Sequence, residues 1–464
     1  MSRFSALQGA VEGMQDMSEV VERWGSRRAF IIAVTGAAVG LGNIWRFPWM
    51  TGENGGAAFL LLYVVFLALL GLPVMVAEIM IGRAGRRTPM QALTFLARDA
   101  GRSRHWGLLG LFCGITLFFI LSFYSVVSGW SIEYLVEALS GNFASRSPEE
   151  IGGAFDAFLA SPGLVLLNHS IFLLLTMSVV ALGVGGGLER LNNLLMPLLY
   201  LLLILLVGYA VTTSGFTTAL AWLFKPDLSA VTLVAVFNAM GHAFFTLAVG
   251  AGALMAYGAY MPDDQSLPRA VVTVAILDVA VALLAGIAIF SIVFSQGMDP
   301  ASGPGLMFVT LPIAFADLPG GALWLGCFFV LLLLATWTSS INLAEPMVAM
   351  LGSTGMARPL AALIIGVGVW LMGLPSALSF SIWSDVHLFH DMTLFDLATT
   401  LPIDIMLPIG GLLIAVFAVW VVDAPRAMAA IGAGERFYQV WRAVVRWVSI
   451  PLLLVVLLGF FLMK

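Results

Sequence analysis

The side chains able to do chemistry in this chain are few, and they lie inside long apolar stretches. Arg46, Glu78, Asp278, Glu345 and Asp396 are ionisable groups among aliphatic neighbours, while Glu133 and Asp404 fall nearer the ends of such stretches. Charge is expensive in a bilayer, and where it persists it usually faces an interior and serves a function. Helix–helix adhesion would account for Glu133 and Asp404, but it fits Asp278 poorly, since every neighbour from Val274 to Leu284 is apolar. Thr35-Gly36-Ala37-Ala38-Val39-Gly40-Leu41-Gly42-Asn43 holds three glycines in mid-stretch, each weakening a helix by about 1 kcal/mol. A helix broken there leaves N–H and C=O groups that lipid cannot satisfy, so protein or a ligand must. Close packing through small residues is the plainer explanation. The break recurs, however, in Gly241-His242-Ala243-Phe244-Phe245-Thr246-Leu247-Ala248-Val249-Gly250-Ala251-Gly252. A third feature is the hydroxyl run Thr336-Trp337-Thr338-Ser339-Ser340. Alone it would bond back to its own helix. Combined with freed carbonyls it supplies hard oxygen ligands for a small cation, while the N-termini of half-helices suit an anionic group.

The elements that position these groups follow from composition. Of 464 residues, 61% are hydrophobic and 10% charged, against about 25% charged in a soluble domain. A soluble enzyme and a disordered chain are excluded, and a net charge of −5 without a basic block speaks against a nucleic-acid partner. The apolar runs are continuous rather than alternating, which indicates helices and not a barrel. Hydropathy gives about eleven spans, near 29–50, 57–82, 106–137, 164–184, 191–212, 231–256, 269–295, 321–351, 359–378, 394–422 and 441–463. The expected organisation is a cytoplasmic segment 1–28, a ten-helix core 29–422, and a cytoplasmic linker with an eleventh helix, 423–464. Arginines concentrate in alternate loops: Arg27 and Arg28, Arg83 to Arg104, Arg190, Arg269, Arg358, and Arg426 to Arg446. This places the N-terminus in the cytoplasm, and an odd number of spans puts the C-terminus outside. Segment 1–28 reads as either a surface-lying amphipathic helix or a flexible tail. Cys113 and Cys327 fall in spans, so no disulfide is expected, and the sequon at Asn168 abuts a span and is expected to be unused. The interrupted first and sixth spans lie five apart, the pattern of a transporter built from two inverted five-helix repeats. A channel or scaffold is the rival class. A membrane enzyme would need a facing nucleophile–base or metal set, and His242 is the one histidine among the candidate groups at mid-span. Asp385, His387, His390 and Asp391 resemble metal ligands by type, but they sit in an outer loop where no metal is expected.

At these residues the sequence resembles the neurotransmitter:sodium symporter family, whose bacterial members share the fold of the leucine transporter. The matching stretches are Gly40-Leu41-Gly42-Asn43-Ile44-Trp45-Arg46-Phe47-Pro48, Glu53-Asn54-Gly55-Gly56, Gly71-Leu72-Pro73 with Glu78 and Gly82-Arg83, Phe245-Thr246-Leu247, Gly303-Pro304-Gly305-Leu306, Thr338-Ser339-Ser340 and Phe395-Asp396. The resemblance implies an all-α membrane protein that imports an amino acid with sodium by alternating access in the inner membrane. It implies two sodium sites: Ala38, Asn43, Thr246 and Asp278 for the first, and Gly36, Val39, Ala335, Thr338 and Ser339 for the second. The substrate carboxylate would meet Leu41, Gly42 and Tyr124, and the ammonium would meet carbonyls of Ala38, Phe245 and Thr246. The side chain would lie among Ile120, Phe245, Ala248, Ala251, Ser339 and Leu343. Arg46 and Asp396 would pair as an outer gate, with His242 in the outer vestibule. Trp24, Tyr260 and Glu345 match the inner-gate positions.

The chain also departs from the family pattern. The Arg and Asp of the usual cytoplasmic gate are replaced by Val21 and Ser353, leaving Arg23 as a substitute cation directed at Glu345 or a carbonyl. Tyr63 keeps the tyrosine of the chloride site that animal members use, but His242 replaces its glutamine. Asp278 stands where its charge could replace the chloride, so no chloride requirement is expected. When sodium leaves, a proton could neutralise Asp278 instead, which makes proton counter-transport a further expectation. Ala251 and Ala248 are smaller than the leucine transporter's residues, pointing to neutral hydrophobic or aromatic L-amino acids. An osmolyte or a β- or γ-amino acid such as taurine or GABA is the alternative.

Overall fold

A computed structural model describes residues 24–262, 265–389 and 391–462. Nine helices among them are long and apolar enough to cross a membrane: Ala57–Gly85, Arg104–Leu139, Pro162–Ala181, Val184–Val211, Leu267–Ser295, Gly321–Gly352, Arg358–Leu378, Leu394–Trp420 and Glu435–Gly459. The first and sixth spans complete eleven, and both are broken. The first runs Arg27–Ala38, then Gly42–Glu53, with a 49° bend between the halves. The sixth is Leu233–Thr246 followed by the short helix Ala253–Ala259. The breaks fall where the glycines are. Gly250 and Gly252 have φ of 94° and 75°, a region open mainly to glycine. Ala248 is there too, at φ 51°, so this turn carries strain at a non-glycine residue.

Because four spans lie between the two broken ones, the sixth span enters from the face opposite the first. Each half of the core therefore contributes one broken helix to mid-membrane, and the two lie side by side. Outside the spans, short helices run Pro89–Asp99, Pro148–Leu159, Phe216–Phe224 and Thr310–Ala316, and a two-residue hairpin pairs His387–Leu388 with Met392–Thr393. The sequon residue Asn168 is buried and donates to Glu133 at 2.8 Å. Of the segment 1–28, residues 1–23, including Val21 and Arg23, lie outside the described residues, while Arg27 and Arg28 open the first span.

Small residues allow the close approaches. A Cβ on Gly82 would lie 1.8 Å from the Met255 carbonyl oxygen, and one on Gly258 would lie 2.3 Å from that of Ile79. The second span and the half-helix Ala253–Ala259 are thus in backbone contact. Glu78, fully buried, accepts the Gly250 amide at 2.9 Å and the Leu254 amide at 3.1 Å. It caps the N-terminus of that half-helix, where a carboxylate is favoured by both the free amides and the dipole. Arg86 binds the Ala259 and Met261 carbonyls at the other end. The second span therefore holds the half-helix at both termini.

Candidate functional site

Between the two breaks lies a narrow cavity enclosed by helices, a place where small-molecule sites of helical folds commonly form. Main-chain atoms of the first span supply one side, from Ala37, Ala38, Gly40, Leu41 and Gly42. Tyr124 and Ile120 come from the third span, Phe245, Thr246, Ala248 and Ala251 from the sixth, and Ser339 and Leu343 from the eighth. Every residue expected from sequence to face the substrate lines this cavity. Leu407 lines it as well; the tenth span carries no motif that announces this. Glycine is obligatory at the narrow end: a Cβ on Gly40 would fall 2.4 Å from Ser339 Oγ and 2.7 Å from the Tyr124 hydroxyl. On Gly42 it would fall 3.3 Å from Thr246 Cα. The Leu41 amide donates to the Tyr124 hydroxyl at 3.3 Å, which ties the first span to the third at this end.

Beside the cavity four spans meet at one carboxylate. Asp278 is fully buried. Its Oδ1 accepts Asn43 Nδ2 at 2.7 Å, its Oδ2 accepts the Tyr63 hydroxyl at 3.0 Å, and the Thr246 hydroxyl lies 3.3 Å from both oxygens. All of these partners are neutral. A buried carboxylate held only by neutral donors retains a charge that costs several kcal/mol to bury. A hard monovalent cation bonded to the oxygens of Asn43, Thr246 and Asp278 would offset it.

A second oxygen cluster lies where the eighth span crosses the first. The Ser339 hydroxyl is 2.8 Å from the Val39 carbonyl and 3.1 Å from that of Gly36. The Thr338 hydroxyl is 3.0 Å from the Ala335 carbonyl. Carbonyls at the break thus meet the Ser339 hydroxyl across a helix contact, while the Thr338 hydroxyl beside it bonds back to its own helix. These are oxygen ligands without a formal charge, the donor set a sodium ion accepts.

The model of the sodium:neurotransmitter symporter family matches residues 21–151 and 154–464. The chain belongs to this family. It is 36% identical to a sodium-dependent transporter of Bacillus subtilis, YhdH, over 94% of this chain and 96% of that protein. It is 32% identical to a sodium-dependent transporter of Haemophilus influenzae, with 94% and 97% covered. The solved structure of MhsT in complex with L-phenylalanine superposes with a TM-score of 0.87 at 41% identity, covering 94% of this chain and 99% of that one. The protein is therefore a sodium-dependent secondary transporter with the inverted-repeat fold of that structure, and not an enzyme.

The gate residues fall partly elsewhere than the family pattern implies. Arg46 does not pair with Asp396. Its guanidinium lies 3.8 Å from Asp404 and 4.9 Å over the Phe245 ring. Asp396 instead caps the tenth span, accepting the Thr393 amide and hydroxyl at 3.1 and 2.8 Å. The reason is local: Thr393 and Asp396 form a capping box that fixes the carboxylate to its own helix start. A wide turn at Leu401–Met406 then carries Asp404 inward. His242 is not in a hydrated vestibule either. It is fully buried, with its ring 5.0 Å from that of Tyr63, 5.9 Å from Phe47 and 6.0 Å from Phe59. The aromatic residues of the first two spans close over the face of the sixth on which it lies.

At the opposite end, Trp24 stacks on Tyr257 at 5.5 Å, and its amide donates to the Tyr260 carbonyl at 3.3 Å. The Tyr260 hydroxyl is 3.4 Å from Glu345, which forms an ion pair with Arg358. Arg358 is the first residue of the ninth span, Arg358–Leu378, with Pro359 beside it in the first turn. Sequence reading assigned no role to Arg358 beyond topology, nor to Glu189, whose carboxylate accepts the Gly25 amide at 3.1 Å. Ser353, where the family carries an acid, bonds only the Met350 carbonyl of its own helix.

Proposed function

We propose that the protein couples import of a neutral hydrophobic or aromatic L-amino acid to two sodium ions, without chloride. The observation that carries this reading is the Asp278 cluster, a buried carboxylate bonded by Asn43, Tyr63 and Thr246 at the wall of an apolar cavity. Asp278 supplies in the protein the negative charge that a bound chloride would otherwise provide, and it touches both side chains of the first sodium site. The second sodium is held by Gly36, Val39, Ala335, Thr338 and Ser339. The amide end at Leu41 and Gly42, with Tyr124, receives the α-carboxylate. Carbonyls of Ala38, Phe245 and Thr246 receive the ammonium. The remaining lining is aliphatic and aromatic, with only small side chains at Ala248 and Ala251 to make way for a large substrate side chain, and MhsT was solved with L-phenylalanine. Such a wall offers no partner to an ammonium set two or three carbons from the anionic group, which disfavours taurine and GABA.

In the cycle, sodium at both sites ties the two halves of the first span to the sixth, seventh and eighth. Substrate then bridges the two breaks and lets Arg46, Asp404 and Phe245 close above it. Release follows when the end held by Trp24, Tyr260, Glu345 and Arg358 opens to the cytoplasm, the side on which the N-terminus is placed. The test is equilibrium binding of radiolabelled L-phenylalanine and L-leucine to the purified protein in sodium, lithium, potassium and choline salts of gluconate. Saturable binding only with sodium, displaced by large apolar amino acids and not by taurine or GABA, is expected. Binding that requires chloride, or that taurine displaces best, overturns the reading.

A further inference from the structure

Two amides press against Gly36. A Cβ there would lie 2.9 Å from Asn192 Oδ1 and 3.4 Å from Asn342 Nδ2. Asn342 is engaged: it donates to the Thr338 carbonyl at 2.8 Å, and its oxygen receives the Tyr257 hydroxyl. Asn192, on the fifth span, is not. It is 1% exposed, and neither Oδ1 nor Nδ2 has a partner. The hydroxyl of Thr35, the residue before Gly36, is also buried and without a partner. Leaving a buried polar group unpaired costs about 1–3 kcal/mol, so such groups are usually satisfied by water or an ion.

Their position says which occupant the transport cycle brings. The Gly36 carbonyl is within 3.1 Å of the Ser339 hydroxyl, in the proposed second sodium site, so Asn192 abuts a residue of that site, and Thr35 is its neighbour in sequence. Glu189, which binds the Gly25 amide at the closed end beside Trp24, lies one helical turn before Asn192 on the same span. Asn192 therefore stands between the second sodium site and the closed end.

We propose that Asn192 and Thr35, backed by Asn342, form a relay site that takes sodium from the second site on its way out. The inference rests on the proposed second sodium site. Asn192 Oδ1 and Thr35 Oγ1 are hard oxygen ligands, and Asn192 Nδ2 is a donor for a water travelling with the ion. These ligands carry no charge, so they hold sodium weakly enough to release it, as conduction through successive sites requires.

The test compares Asn192→Leu, which keeps the approximate size and removes both polar atoms, with Asn192→Asp, which adds a charge. Three quantities are read on the purified and reconstituted protein: equilibrium ²²Na⁺ binding, sodium-driven net uptake, and exchange of internal for external substrate at equal sodium on both sides. For Asn192→Leu, net uptake should fall about tenfold, the equivalent of one lost polar contact. Its sodium affinity and exchange should stay within about twofold. Asn192→Asp should bind sodium about tenfold more tightly and also slow net uptake. Wild-type net uptake in the leucine variant overturns the relay. So does loss of binding, exchange and uptake together, which marks a structural role. If the leucine variant does not purify as a monodisperse protein, Asn192→Ala takes its place. Sodium binding is read without substrate. An unchanged affinity in Asn192→Asp therefore refutes the relay even if no amino acid is transported, a result that would defeat the substrate reading separately.

Discussion

Replacing Asp278 by Asn keeps the shape of the cluster and removes its charge. A cation bonded to Asp278 and to the oxygens of Asn43 and Thr246 has its charge within about 4 Å of the carboxylate's, where two unit charges attract by about 4 kcal/mol at an effective dielectric of 20. The amide oxygen of Asn restores part of this as a dipole, leaving a loss of roughly 2–3 kcal/mol, or about 30- to 150-fold in sodium affinity. Of the hydrogen bonds, that from Tyr63 at 3.0 Å can persist to the new amide oxygen, so folding should be largely retained. The assay is ²²Na⁺ binding to the purified protein and sodium-driven uptake, each with gluconate or chloride as the anion. The wild type should ignore the anion. The variant should need about 30- to 150-fold more sodium in gluconate, and chloride should recover part of the loss, because Tyr63 remains to receive it. A variant with unchanged sodium half-saturation and no response to chloride refutes the charge-balance argument.

Other perturbations follow from the same geometry. Gly40→Ala places a methyl 2.4 Å from Ser339 Oγ and 2.7 Å from the Tyr124 hydroxyl; substrate binding should fall at least tenfold while the melting temperature in detergent shifts by only a few degrees, as competition binding and thermal melting can show. Ala251→Phe fills part of the cavity, so phenylalanine and tryptophan should lose at least tenfold as competitors while alanine loses little. Asp404→Asn unpairs Arg46 and should slow uptake several-fold. Asp396→Ala removes the acceptor of the Thr393 amide and hydroxyl, a capping contact worth about 1 kcal/mol, and should change melting more than transport; equal transport losses in the two variants would contradict the assignment of Asp404 as the partner of Arg46.

Local chemistry was the most legible part of the sequence. Glycines at positions 36, 40, 42, 250 and 252 announce broken helices because each weakens a helix interior, and at 250 and 252 the positive φ suits glycine; Asp278 stands out because nothing polar surrounds it in sequence. The spans could be drawn because hydropathy reports the bilayer directly. What could not be read depends on how distant segments meet. Asp396 and Asp404 are both acids near the start of one span, and only the capping box at Thr393 and the wide turn after it decide which one reaches Arg46. His242 has the same neighbours in sequence whether it faces water or three aromatic rings. Glu189 meets Gly25 across 164 residues, and Arg358 meets Glu345 because of where the ninth span begins, so neither contact leaves a motif. Glu78 was visible as a costly charge, but its role as the cap of a half-helix more than 170 residues away required the fold.

The central claim is sodium-driven, chloride-independent transport of a large apolar amino acid, and the most direct test is uptake into proteoliposomes. An inward sodium gradient with gluconate as the sole external anion, and with the interior held at −100 mV, supplies about 4.6 kcal/mol from voltage for two sodium ions moving with a zwitterion. The account predicts saturable concentrative uptake of L-phenylalanine or a similar amino acid, abolished when sodium is replaced by choline and unaffected by added chloride. Uptake that appears only with chloride, or a non-saturable sodium leak without amino-acid accumulation, would contradict it.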